Sequence, residues 1–254
     1  MAWVHWLLGL PDQALASSQK ALELAQTLAH AHSEAAALNW AGVLHQLRRE
    51  EQAAYERAEA LIALAKAQGF PYWLAEGRIL RSWALAALGQ TEEAVEQIHQ
   101  GLAAYRATGA EIQRPYWLAL EAEAYALAGQ HIEVLKAVND GIRAMYATGE
   151  HWYHAELYRL KGELLLAQPN PIWNEADASF QEALATAKQQ HASSLELRTA
   201  MSLSRLWHAQ GKAAQAHALL MPIYQGFTEG FSTADLRDAK ALLASLKTSG
   251  VFQE

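Results

Sequence analysis

Apolar residues recur along this chain at the spacing of one helical face, as Ala176, Phe180 and Ala183 do at i, i+4 and i+7. The pattern is itself repeated. Ala107-Thr108-Gly109 returns as Ala147-Thr148-Gly149, and Leu88-Gly89-Gln90 is answered by Ala128-Gly129-Gln130, each 40 residues on. A fixed period of that size marks stacked helical hairpins rather than one compact enzyme core. The units align on short turns at Gly9, Arg48, Gly89, Gly129, Pro171 and Gly211, with gaps of 39, 41, 40, 42 and 40 residues. Five residues past these turns stand Ala14, Ala53, Ala94, Val134, Ala176 and Ala216, small enough for the second helix of a hairpin to lie close on the first.

The pattern predicts helices near 1–9, 11–30, 33–47, 50–68, 72–88, 91–107, 113–128, 131–147, 150–167, 172–190, 194–210, 212–224 and 233–247. Ser33, Thr91 with Glu92-Glu93, and Ser193 with Glu196 read as caps. Pro11, Pro71 and Pro115 suit first turns, where a missing N–H costs nothing, and Pro171 opens a helix after the Gln168-Pro169 break. The resulting expectation is all-α: a right-handed α-solenoid of six hairpins at about 1–32, 33–70, 71–109, 110–149, 150–192 and 193–226, with a capping helix at about 232–248, forming a single domain. Asp235, Arg237, Asp238 and Lys240 would give that last helix its polar face. The first hairpin has only a stub for its first helix, so Trp3 and Trp6 would lack a covering repeat. That predicts either the C-terminal part of a longer protein or a module that self-associates through Trp3 and Trp6 into a homo-oligomer.

Composition agrees with helices and narrows the function. Of 254 residues 52% are hydrophobic, enough for a core, and Ala and Leu dominate them. The net charge of −7 and the lack of a basic cluster beyond Arg48-Arg49 argue against nucleic acid as a partner. There is no cysteine, hence no disulfide, Cys-based zinc site or thiol catalysis. No apolar run has the length of a membrane span, and the N-terminus lacks the basic region of a signal peptide. The expected setting is the cytoplasm.

Catalytic chemistry is hard to find. No phosphate-binding glycine loop or Gly-x-Ser-x-Gly elbow occurs, so no enzyme and no cofactor are expected. His30 with His32, and His151 with His154 beside Glu150 and Glu156, could chelate a metal only if a carboxylate converged. Ordinary polar helix starts explain them, and no metal site is expected. Gly101, Gly141 and Gly162 fall inside helices and point to close packing. Trp40, Trp83, Trp207 and Tyr125 recur inside first helices as packing residues, whereas Trp73, Trp117 and Trp152 sit near first-helix starts, where a rim could expose them.

The hairpin logic resembles the tetratricopeptide repeat, stretched from about 34 residues to about 40. The stretches 44–50 (LHQLRRE), 56–65 (ERAEALIALA), 101–109 (GLAAYRATG), 114–120 (RPYWLAL), 155–165 (AELYRLKGELL) and 227–236 (FTEGFSTADL) carry a further likeness. They resemble the C-terminal repeat region of bacterial multidomain signalling proteins, in which a cyclase-like or DNA-binding domain and a signal-transduction ATPase precede a helical array. Neither a cyclase nor an ATPase module is present here, so neither activity carries over. The resemblance implies a sensing and protein-interaction scaffold whose first helices line a concave face. Its register selects His45, Glu76, Trp83, Tyr116, Glu123, Glu156, Arg159, Glu163, Arg198, Met201 and Arg205. A protein, a peptide or a small effector is the expected ligand, with Arg159, Arg198 and Arg205 offered to a carboxylate or phosphate. The alternative is that these charges pair with one another. Reversing all three arginines should, on the first reading, abolish binding without unfolding.

Overall fold

The computed structural model describes residues 1–250, with side chains to residue 247. Thirteen helices are found among the described residues: α1 (Ala2–Leu7), α2 (Pro11–Leu28), α3 (Ala31–Leu47), α4 (Glu51–Gln68), α5 (Pro71–Ala87), α6 (Thr91–Ala107), α7 (Arg114–Leu127), α8 (His131–Thr148), α9 (His154–Leu166), α10 (Trp173–Gln189), α11 (Ser193–Ala209), α12 (Ala213–Gln225) and α13 (Ala234–Gly250). The all-α expectation holds, and consecutive helices pack on one another from α3 to α8 and from α9 to α13. Contacts divide the chain into two compact units. One joins Met1–Val4 to Gln13–His151, and the other joins His5–Asp12 to the chain from Trp152 onward.

Within the first unit, α5 touches α3 and α7 besides its hairpin partners α4 and α6. First helices therefore line up side by side, and Leu38, Leu61 and Trp73 fill one of the seams. In the second unit α11 holds the same central place, against α9, α10, α12 and α13, over a core that includes Phe180, Leu197, Leu203 and Leu236. Close approach explains two of the helical glycines. A Cβ at Gly101 would lie 2.9 Å from Ile79 Cγ1 and one at Gly162 would overlap the buried Phe180 ring, so neither position accepts a side chain without repacking.

The backbone keeps a stricter period than the sequence. Left-handed residues punctuate the turns inside hairpins at Gly9, Arg49, Gly89 and Gly129, and those between hairpins at Ala29, Gly69, Gly109 and Gly149. Each series advances by 40. Arg49, at φ 58°, does what glycine does elsewhere, so the turn lies one residue beyond the Arg48 alignment. The small residue that follows by five is thus Ala54, which is fully buried, instead of Ala53.

The cap expectations need correction as well. Helix α3 begins at Ala31, capped by the His30 ring accepting from the Ser33 backbone N–H at 3.3 Å, while Thr91 and Ser193 are the first helical residues of α6 and α11. Gln90 and Ala192 precede them and make no side-chain cap bond. These helices are started by packing of their apolar faces more than by local capping.

Candidate binding surface

The 40-residue frame places the residues selected from sequence in two rows on the first helices. One row is Glu76, Tyr116, Glu156 and, after the two-residue insertion, Arg198; the other is Trp83, Glu123, Glu163 and Arg205. Within each unit, equivalent positions on adjacent first helices face the same way, yet their exposure differs from row to row.

In the first unit the first row is interior. Glu76 and Tyr116 are both 0% exposed, and the Tyr116 hydroxyl donates to Gln46 Oε1 at 2.9 Å, from α7 to α3. Burial pushes the Glu76 carboxyl up to about 8, and the Tyr72 hydroxyl, whose interaction favours the ionised form, offsets only part of this. Glu76 is therefore a protonated acid at neutral pH. Burial first, and Glu76 second, hold the Tyr72 phenol far above its ordinary value. The second row emerges at the surface: buried Trp83 donates its indole N–H to Glu123 Oε2 at 2.7 Å, one full repeat away, and Glu123 is half-buried.

His45 closes the turn at the end of α3. Its Nδ1 lies 2.6 Å from Glu50 Oε2, and Arg48 Nε donates to Glu50 Oε1 at 2.8 Å. Burial would raise Glu50, but the bond to His45 and the Arg48 charge overcome it and hold the carboxyl below its usual range. A further cluster was not foreseen. Burial raises Glu121 on α7 to about 7, its Oε1 sits 3.3 Å from His99 Nδ1, and the other ring nitrogen of His99 meets the Tyr125 hydroxyl.

The second unit gathers four of the selected residues into one network. Arg159 donates to Glu156 Oε1 at 2.7 Å and to Glu163 Oε1 at 3.3 Å, both within α9. Arg198 on α11 donates from Nε to Asp235 Oδ2 at 2.8 Å, and its Nη1 is 3.7 Å from Glu156 Oε1. Ser202 adds a hydrogen bond to Glu163 Oε1 at 2.5 Å, and the Trp6 ring lies 4.9 Å from the Arg198 guanidinium carbon. Burial alone would lower the Arg198 pKa, but Asp235 and Glu156 more than reverse this. Here the charges do pair with each other. Asp235 is buried rather than part of a polar outer face, and nothing in its local sequence, or in that of Ser202, marks a place in this network. Met201 is core and Arg205 is exposed.

Several tryptophan expectations change. Trp6 is only 2% exposed, covered by α11, where Ser194 donates to its carbonyl and Arg198 lies over its ring. It is not an uncovered anchor. Trp3 is half-buried and stacks on Trp40 with ring centroids 5.7 Å apart. Trp73 and Trp117 are interior rather than rim residues, because each first-helix start is roofed by the neighbouring hairpins, with the Tyr105 ring 6.4 Å from that of Trp117. Trp152 is half-buried against Tyr153. Among the described residues no three His, Asp or Glu side chains are grouped as metal ligands, and no helix is long and apolar enough to cross a membrane.

No protein-family model matches this chain, and no curated protein does. Among solved structures it is similar to the TPR2AB domain–pHSP90 complex of yeast Sti1, at 15% identity over 97% of this chain and 95% of that one, with a TM-score of 0.42. A similarity of that size carries no argument about function. The class of the protein, an all-α stack of helical hairpins, rests on its own helices and their 40-residue period.

Proposed function

We propose that this chain is a non-catalytic helical-repeat scaffold that binds a protein or peptide through the exposed row of its first helices. The observation that supports it is the second row. Within the second unit Glu163 on α9 is a partly exposed carboxylate held by a hydrogen bond from Ser202 on α11, and Arg205 on α11 is exposed; within the first unit Trp83 on α5 holds the partly exposed Glu123 on α7 in the same way. Side chains fixed in advance lose little entropy when a partner docks, and such side chains on adjacent first helices of one unit suit an extended or helical segment. The resemblance of the quoted stretches supports the finer reading, the sensory or interaction arm of a cytoplasmic bacterial signalling regulator.

Reversal of all three arginines is an unsuitable test, since Arg198 and Arg159 hold the second unit together. Glu123→Lys, Glu163→Lys and Arg205→Glu touch the row itself. The triple variant is expected to keep its circular dichroism and to lose, in pull-downs from bacterial lysate, the partner that the wild type retains. Equal retention of that partner by both proteins would remove the row from consideration.

A second reading, self-association, keeps one support. Trp3 and Trp40 line an open groove of about 500 Å³ with Leu24 and Leu28, which are 58% and 61% exposed. If copies meet there, light scattering gives a dimer mass for the wild type and a monomer mass for Trp3→Ser; a monomer in both discards the reading.

A further inference from the structure

A different groove carries two opposite charges that are not in contact. It lies within the second unit, has a volume of about 570 Å³, and is bordered by the end of α10, the start of α11 and one face of α12. Lys188 stands in the last turn of α10 and Glu196 in the first turn of α11, eight residues apart across a tight connection. No ion pair or hydrogen bond of either side chain is found among the described residues; the Lys188 charge acts on Glu196 without contact, and both line the groove. Opposite charges left apart on one concave wall are each available to a ligand group.

The rest of the lining supplies the other requirements. Leu219, Ile223 and Phe227 give an apolar wall. Pro222 lies inside α12 and has no N–H, so the Ala218 carbonyl lacks its i+4 donor. Both of those residues border the groove.

We propose that this groove binds a free α-amino acid with an apolar side chain. The carboxylate meets Lys188, the ammonium meets Glu196 and the Ala218 carbonyl, and the side chain rests on the apolar wall. A zwitterion presents both charges on one carbon, matching two opposite charges at the two ends of one short turn. A peptide segment would offer at most one of them there. The volume falls in the range of small-molecule sites. Burial raises the Glu196 carboxyl and Lys188 offsets only part of it, as expected for a carboxylate with no cation in contact.

Calorimetry on the full chain with L-leucine and L-phenylalanine tests this, with leucinamide, N-acetyl-leucine and glycine as probes lacking the carboxylate, the ammonium and the side chain. Saturable binding of the two amino acids is expected, weakened about tenfold or more by each omission and by Lys188→Met or Glu196→Gln, as loss of a charged contact implies. Each charge variant should also cease to distinguish leucine from the probe lacking the facing group. Pro222→Ala, which returns a donor to the Ala218 carbonyl, should weaken leucine and leave N-acetyl-leucine unchanged. No saturable heat from either amino acid at roughly 10 mM, well above a millimolar Kd, overturns the proposal. So does binding that both charge variants leave intact. None of these variants alters the exposed row, so the outcome is independent of the scaffold reading.

Discussion

Arg198→Met is expected to destabilise the second unit by about 3–5 kcal/mol, the usual result of removing one partner from a buried ionic network. The Arg198 side chain is 8% exposed, and those of its partners Glu156 and Asp235 are 1% and 12% exposed. Without the guanidinium, Asp235 loses the cation 2.8 Å away and Glu156 loses the weaker of its contacts to Arg198 and Arg159. Both carboxylates then stay in a poorly hydrated place with less of their charge compensated. The variant also removes the cation from beside Trp6 and so loosens the residue 5–12 segment. Adding Asp235→Asn to Arg198→Met should recover a large part of the loss, because the desolvated charge disappears along with its partner. Urea unfolding, with hydrogen exchange along α11 and α13, measures both effects. A single variant as stable as the wild type would mean that the network is solvated and contributes little.

Glu76→Gln is expected to leave stability almost unchanged in acid and to raise it strongly in base. The sign follows from linkage. Burial lifts the folded-state value of Glu76 to about 8 from an ordinary 4.5, so the folded chain holds its proton over a range where the unfolded chain has lost it. The corresponding stability is complete below pH 4.5, declines as pH rises and is gone above about 8. At 1.36 kcal/mol for each pKa unit, the full loss is on the order of 5 kcal/mol. Glutamine fills nearly the same volume and cannot ionise. The two unfolding curves should therefore coincide near pH 4, separate through neutrality and run parallel above pH 9. Glu121, raised to about 7 by burial, gives the wild type a second decline of the same sign ending one unit lower. Curves separated equally at every pH would show that Glu76 is ionised in the fold.

Both results concern residues whose type and position were legible in sequence but whose environment was not. Glu76, Glu156 and Arg198 stand in the register that the tetratricopeptide-like resemblance implies, and the backbone keeps a 40-residue period as far as Gly149. Their burial depended on what the neighbouring hairpins place over them. Alignment on Gly9, Gly89 and Gly129 worked because left-handed turns prefer glycine; it slipped by one residue at Arg49, where an arginine takes the same conformation. Trp73 and Trp117 were misread for the reverse reason: a position near a helix start is a rim in an isolated hairpin and core in a stack. The Glu121–His99–Tyr125 cluster had no sequence signal at all, since His99 on α6 comes 22 residues before Glu121 on α7.

By itself, then, the sequence determined that the chain is all-α and, to within a few residues, where its helices and turns fall. Those properties come from local preferences, helical periodicity and turn chemistry, which act over a few residues. Only the tertiary structure decided that Trp6 lies against α11, that Asp235 rather than a ligand answers Arg198, and that Glu76 sits in the interior as an acid. These outcomes depend on desolvation and charge pairing between helices that meet only after the hairpins have stacked, and no local pattern encodes which groups the stack removes from water.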